Sequence, residues 1–238
     1  MSISAPTDIS GCQLWLSADS GVYNDAGTTL CTNGQSVRQW NDRSGNSRHV
    51  SQATSGNRPV YTTGVINSLP AVRFTAASSH YMASGSYTQA QPMTIFIVCK
   101  AALTTASANQ FFFDGDSTST EVTILTASAS SPPFWRSYGG TLLDGVGRTD
   151  DCYNVWSFVV NGSSSKLVLN GSVLKSGAAG ALSLGAVVRL GCDASATPAN
   201  FLNGDICEFI IYDTALSDAN RKDVVDCVRR WLPAVTWQ

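Results

Sequence analysis

The sequence predicts an all-β fold, a two-sheet antiparallel sandwich with one short helix near its C-terminal end. Three observations carry this expectation. Short β-branched or aromatic runs bounded by Gly, Asn, Ser and Pro recur along almost the whole chain. Only one segment shows helical spacing. Charged residues make up 13%, against roughly a quarter in an average soluble protein, too few for a long helical bundle or coiled coil. The 31 Ser, 21 Thr and 20 Gly make the surface polar through hydroxyls and amides rather than ions.

The expected strands follow in order. Leu14-Trp15-Leu16, Val37-Arg38-Gln39-Trp40 and Ala71-Val72-Arg73-Phe74 come first, and residues 93–99 form the strongest early run. Phe111-Phe112-Phe113 and Glu121-Val122-Thr123-Ile124-Leu125 flank Asp114-Gly115-Asp116-Ser117, which reads as a turn. In the second half, residues 155–160, 166–169 and 172–175 read as a three-strand meander. Asn161-Gly162 and Asn170-Gly171 supply the positive φ that tight turns demand. Both Asn-Gly-Ser triplets also match the N-glycosylation acceptor pattern, and the turn explains them without it. Residues 187–191 and 205–212 supply the last strands. Ser217 can cap a helix in which Val224, Val225, Val228, Trp231 and Leu232 recur at helical spacing, with Pro233 as the stop.

The chain reads as one domain over residues 12–232, with an N-terminal extension (1–11) and a C-terminal tail (233–238). The serine-rich stretch 128–133 is too short to separate domains. Lys+Arg 15 against Asp+Glu 17 gives a net charge of −2 without a basic cluster, so nucleic acid is not an expected partner. The first residues hold no basic-then-apolar signal peptide, and no apolar run reaches the roughly 18 residues of a membrane span. Membrane insertion is therefore not expected. Seven cysteines are scattered with no CxxC pair and in odd number, which reads as buried reduced thiols rather than a disulfide framework or zinc site.

Six segments, in this order, resemble the laminin-G-like, concanavalin-A-like jelly-roll domains. They are Leu14-Trp15-Leu16-Ser17-Ala18-Asp19, then Trp40-Asn41-Asp42-Arg43-Ser44-Gly45-Asn46, then Arg58-Pro59-Val60-Tyr61. Leu69-Pro70-Ala71-Val72-Arg73-Phe74 (with His80-Tyr81-Met82 after it), Thr94-Ile95-Phe96-Ile97-Val98 and the run from Phe201 through Asp205 and Asp213 to Ser217 complete the set. They span nearly the whole chain and imply a jelly-roll sandwich. Asp42, two residues before Ser44-Gly45, suits an Asx-turn, and Asp213 is expected to fix the turn between the last strand and the helix.

Catalytic signals are scarce. His49 and His80 lie in no triad context, and no nucleophile elbow, zinc-protease motif or phosphate loop is present. Jelly-roll glycosidases carry carboxylates at alternate positions of one strand, which places them over a common cleft. Here the nearest pair, Asp205 and Glu208, stands three apart, on opposite faces of a regular strand. The chain is therefore read as non-catalytic. No cofactor is required. Calcium is the one candidate, with Asp114 and Asp116 as ligands and Asp144 or Asp150-Asp151 in support, against the plainer reading of solvated turn residues. For a ligand, Trp135, Arg136 and Tyr138 offer aromatic faces and a guanidinium suited to a sugar, against the plainer reading of a core strand with Arg136 alternating outward. Trp237 is a tail residue placed to dock on a neighbouring subunit.

The resemblance implies a binding or display module: a phage virion structural protein (capsid decoration, fibre-tip or tail-associated) that engages cell-surface glycan. Its expected partners are that glycan, other virion proteins and further copies of itself, and its expected place is the virion surface. The alternative is a carbohydrate-binding module of a larger secreted bacterial protein, with an extracellular location.

Overall fold

The computed structural model of the chain describes residues 3–102, 109–115, 123–127, 134–147, 152–185 and 187–233. Two antiparallel sheets and one helix make up the fold. The first sheet joins β1 (Cys12–Ser17), β5 (Val60–Ile66), β6 (Leu69–Phe74), β8 (Met93–Ala101), β13 (Asn154–Val160), β14 (Ser165–Leu169), β15 (Ser172–Gly177) and β17 (Gly204–Tyr212). Its order is β15-β14-β13-β8-β17-β6-β5, with β1 also paired to β17. The second holds β2 (Val22–Tyr23), β3 (Gln39–Trp40), β4 (Val50–Ser51), β7 (Met82–Ser84), β9 (Gln110–Gly115), β10 (Thr123–Ala127), β11 (Phe134–Tyr138), β12 (Leu142–Gly147) and β16 (Val188–Leu190). It runs β12-β11-β10-β9-β16-β7-β4-β3-β2.

Ring contacts between the sheets identify their inner faces. Trp156 of β13 stacks on Trp135 of β11 with ring centroids 4.3 Å apart, and Phe209 of β17 lies against Phe113 of β9 at 5.1 Å. Burying each such side chain stabilises the fold by about 1.5–3 kcal/mol. Strands β8, β13 and β17 are buried on both faces, which explains their almost unbroken apolar runs. Helix α1 (Asp218–Val228) contributes Val224, Val225 and Val228 to the same core.

The meander forms as expected. Asn170 (φ 48°) and Gly171 (φ 89°) make the tight turn between β14 and β15. Ser217 caps α1, its Oγ accepting the Asn220 N–H at 3.2 Å. The helix ends at Val228, before Trp231 and Leu232. Both then donate backbone bonds three residues back, to Val228 and Arg229, so the chain tightens as Trp231 turns toward β17.

Local chemistry departs from expectation at Asp114 and at Asp213, and Asp42 does more than expected. Asp114 and Gly115 close β9 rather than forming a turn, and Asp116 lies outside the described residues. Asp42 makes its Asx-turn by accepting Ser44 N–H at 2.8 Å, and it also accepts the N–H groups of Trp15 and Arg48. Asp213 anchors the first strand rather than the helix turn, accepting Gln13 Nε2 at 2.6 Å. Residues before β1 pack onto the sandwich, where Ile9 joins the core and Tyr212 Oη donates to the Pro6 carbonyl at 2.8 Å.

Candidate functional site

The two carboxylates of β17 share a face. Asp205 pairs with Lys100 of β8 and Glu208 with Val98, so two residues intervene on β17 but only one on β8. Cys207 is the extra residue of a β-bulge, and a bulge resets the alternation of side chains. Asp205 and Glu208 therefore both point away from the second sheet. This corrects the expectation of opposite faces, which assumed a regular strand.

Sharing a face does not make them an acid–base pair, because each is held by its own partners. Glu208 is 1% exposed. Trp15 Nε1 donates to its Oε1 at 2.6 Å and Trp231 Nε1 to its Oε2 at 2.6 Å. Arg230 Nη2 reaches both oxygens at 3.1 and 2.8 Å, and Ser17 Oγ lies 3.0 Å from Oε2. Burial pushes this carboxyl above its ordinary value, against the pull of Arg230 and the two indoles. The carboxylate itself is closed to a substrate; the cluster ties the end of the helix to β1 and β17.

Asp205 sits at an open place. Arg73 of β6, Asp205 of β17 and Lys100 of β8 stand side by side in register across three strands. Arg73 Nε and Nη2 grip the two Asp205 oxygens at 2.7 and 2.8 Å, while Tyr153 Oη donates to Oδ2 at 2.5 Å. The Lys100 ammonium lies 5.7 Å from the centre of the Tyr153 ring. Asp205 is 3% exposed, whereas the Arg73 side chain is 46% exposed, so a buried carboxylate holds an accessible planar donor in one orientation. The hydrogen bond to Asp205 raises the Arg73 value further, and burial together with the same carboxylate raises that of Tyr153. Both keep their protons at neutral pH.

Arg73, Lys100 and Asp205 line a cleft of about 190 Å³ with Phe74, Thr75, Ala102, Asn203 and Gly204, and Tyr153 stands beside it through its bond to Asp205. Gly204 forms its floor, where a Cβ would come 2.3 Å from the Lys100 carbonyl oxygen. The arrangement offers guanidinium and ammonium donors, the donor and acceptor of the Asn203 amide, and a tyrosine ring beside them. It can hold a polyhydroxylated ligand, and among the described residues it supplies no unengaged carboxylate to attack one.

The ligand residues expected from sequence separate. Trp135 is 5% exposed and stacks on Phe112 (4.8 Å) as well as Trp156, so its ring belongs to the core. Arg136 and Tyr138 alternate with it and are partly exposed on the outer face of the second sheet. Asp114 is 1% exposed, and its Oδ2 accepts the Ala194 N–H at 2.8 Å, fastening the loop after β16. The side chain of Asp144, with Asp150, Asp151 and Trp237, lies outside the described residues. Among the described residues no group of three metal-ligating side chains gathers. Sequence reasoning missed Arg73, Lys100 and Tyr153. The signal was a charge interrupting or ending an apolar strand, as in Val72-Arg73-Phe74 and Cys99-Lys100-Ala101, but only register brings these residues together.

No family model matches the sequence, and no curated protein matches it. Solved structures do resemble the fold. Domain 4 of AbnA, a GH43 extracellular arabinanase from Geobacillus stearothermophilus, solved in complex with arabinotriose, is 16% identical with a TM-score of 0.63. The match covers 91% of this chain and 97% of that one. An arabinofuranosidase complexed with arabinofuranosyl-alpha-1,2-xylobiose is 14% identical (TM-score 0.70), covering 95% of this chain and 65% of that one. The receptor binding domain of botulinum neurotoxin D is 12% identical (TM-score 0.63), covering 93% and 53%, so the chain spans about half the length of that domain. At these identities the likeness establishes a shared β-sandwich.

Proposed function

We propose that this chain is a non-catalytic saccharide-binding module whose ligand occupies the cleft at Arg73, Lys100, Tyr153, Asn203 and Asp205. One observation carries the reading. The two carboxylates that β17 presents on one face are both engaged, and the one lining the cleft serves to fix a guanidinium as a donor. Recognition of a sugar needs such preset donors and acceptors, whereas glycoside hydrolysis needs two carboxyl groups within reach of one bond. A neighbour solved with arabinotriose supports the class of ligand. Membership of a larger secreted protein fits the same neighbour, which is one domain of an extracellular arabinanase. The comparisons lend no support to a virion location.

The test is calorimetric titration with arabino-, xylo- and galacturono-oligosaccharides, with calcium and again with chelator, alongside a reducing-sugar assay. At least one saccharide should bind without being cleaved. Arg73→Lys, which replaces a planar fork with a point charge, should weaken that binding by about tenfold or more. Release of reducing ends, or no binding by any saccharide, would overturn the proposal.

A further inference from the structure

We infer that the cleft continues into a second subsite built from Tyr81 and Phe201, so that the protein grips an internal stretch of a glycan chain rather than a single terminal sugar. This rests on the saccharide reading above.

The run from Phe201 to Asp205 leads from one subsite to the other. Leu202 is fully buried, while Phe201 and Asn203 on either side of it are partly exposed. Phe201 and Asn203 thus both reach the surface while Leu202 between them anchors the run to the core. Asn203 already lines the cleft, and Phe201 lies two residues further on, roughly 7 Å of extended chain. The Phe201 ring meets the Tyr81 ring at 6.4 Å, tilted by 39°. The second connection is the short loop after β6. Thr75 lines the cleft, its N–H is bonded to His80 Nδ1 at 3.2 Å, and Tyr81 follows.

The main chain that carries both rings is pinned. Tyr81 N–H donates to the Asn57 carbonyl at 3.1 Å, and its own carbonyl accepts Gln52 Nε2 at 3.3 Å. Leu202 N–H donates to the Gly191 carbonyl at 2.9 Å, and Asn203 N–H to Gln110 Oε1 at 2.8 Å. Among the described residues Tyr81 Oη has no hydrogen-bond partner. Two partly exposed aromatic residues with an unengaged hydroxyl, two residues from a donor-rich cleft along the chain, suit the alternating apolar faces and hydroxyl edges of successive sugar units.

The experiment is titration of the full chain with arabino-, xylo- and galacturono-oligosaccharides from the monosaccharide to the hexasaccharide. Affinity should climb beyond the monosaccharide and then level off. Phe201→Ala and Tyr81→Ala should each weaken the longer oligosaccharides by about 3- to 10-fold while leaving the monosaccharide unchanged, and Phe201→Tyr should retain the affinity. Affinity independent of length, or unaffected by both alanine variants while Arg73→Lys still weakens it, would overturn the second subsite and leave the module reading standing. If no saccharide of any length binds, both fall. Should an alanine variant fail to fold, the length dependence of the unaltered chain and the Phe201→Tyr variant decide the matter.

Discussion

Replacing Glu208 by Gln tests the buried carboxylate that joins the helix end to the first sheet. The native carboxylate receives two indole N–H groups at 2.6 Å and a guanidinium at 2.8 Å while 1% exposed. The amide preserves shape but removes the charge opposite Arg230 and turns an NH₂ donor toward an indole donor. Net values of about 1.5–3 kcal/mol for each charge-assisted bond do not add, because all of them share one carboxylate. Breaking a buried pair by losing one partner costs about 3–5 kcal/mol, which is the better guide. For a chain of this length the melting temperature should fall by roughly 6–20 °C. Urea unfolding followed by tryptophan fluorescence, with calorimetry alongside, would measure it. The double-mutant cycle with Arg230→Met should return a coupling above about 1 kcal/mol. If Glu208→Gln unfolds within about 1 kcal/mol of the native protein, the view that this carboxylate locks the helix end to the sheet is refuted.

Other expectations can be checked with the same protein. Burial holds the His80 imidazole below its ordinary value, opposed by its hydrogen bond to the Arg73 backbone, so the native state favours the neutral ring. That contribution is present above about pH 6.5 and is lost as pH falls through the lowered native value. Urea midpoints should therefore drop between about pH 7 and pH 5, and His80→Gln should flatten the slope. Gly204→Ala should cost about 1–3 kcal/mol in urea unfolding, since its Cβ would press on the Lys100 carbonyl. Among the described residues no disulfide joins any of the seven cysteines, and burial lifts Cys31 to about 11 and Cys192 to about 12. Cys31, Cys99, Cys192 and Cys207 should resist a thiol reagent in the native protein and react once it unfolds; fewer than seven reactive thiols in denaturant would show a disulfide instead.

Where structure follows from local chemistry, the sequence could be read directly. Asn170-Gly171 admits a tight turn because both residues tolerate positive φ, and Ser217 caps a helix because its hydroxyl can reach an orphan N–H. The same local logic placed Asp42. Trp135 was ambiguous, since an apolar residue beside Arg136 suits both a core strand and a sugar platform, and only the second sheet's approach decides between them. The bulge at Cys207 left no mark in an apolar run, yet it decides which way Glu208 points. The cleft was illegible for a related reason. Arg73, Lys100 and Asp205 are neighbours only through the register of three strands far apart in sequence, and register is set by packing that no one strand specifies.

The place of β17 bears on the order of events during synthesis. It is the last strand made, yet it lies between β8 and β6 and also carries β1, the first. Until residue 212 has left the ribosome, the apolar edges of those three strands have no permanent neighbour. A nascent chain growing at about 5–20 residues per second holds them open for many seconds. Such high contact order slows folding and exposes strand edges to wrong partners. A truncation before β17 should therefore aggregate rather than yield a smaller folded unit, and chaperone dependence should concentrate in the interval before β17 is made.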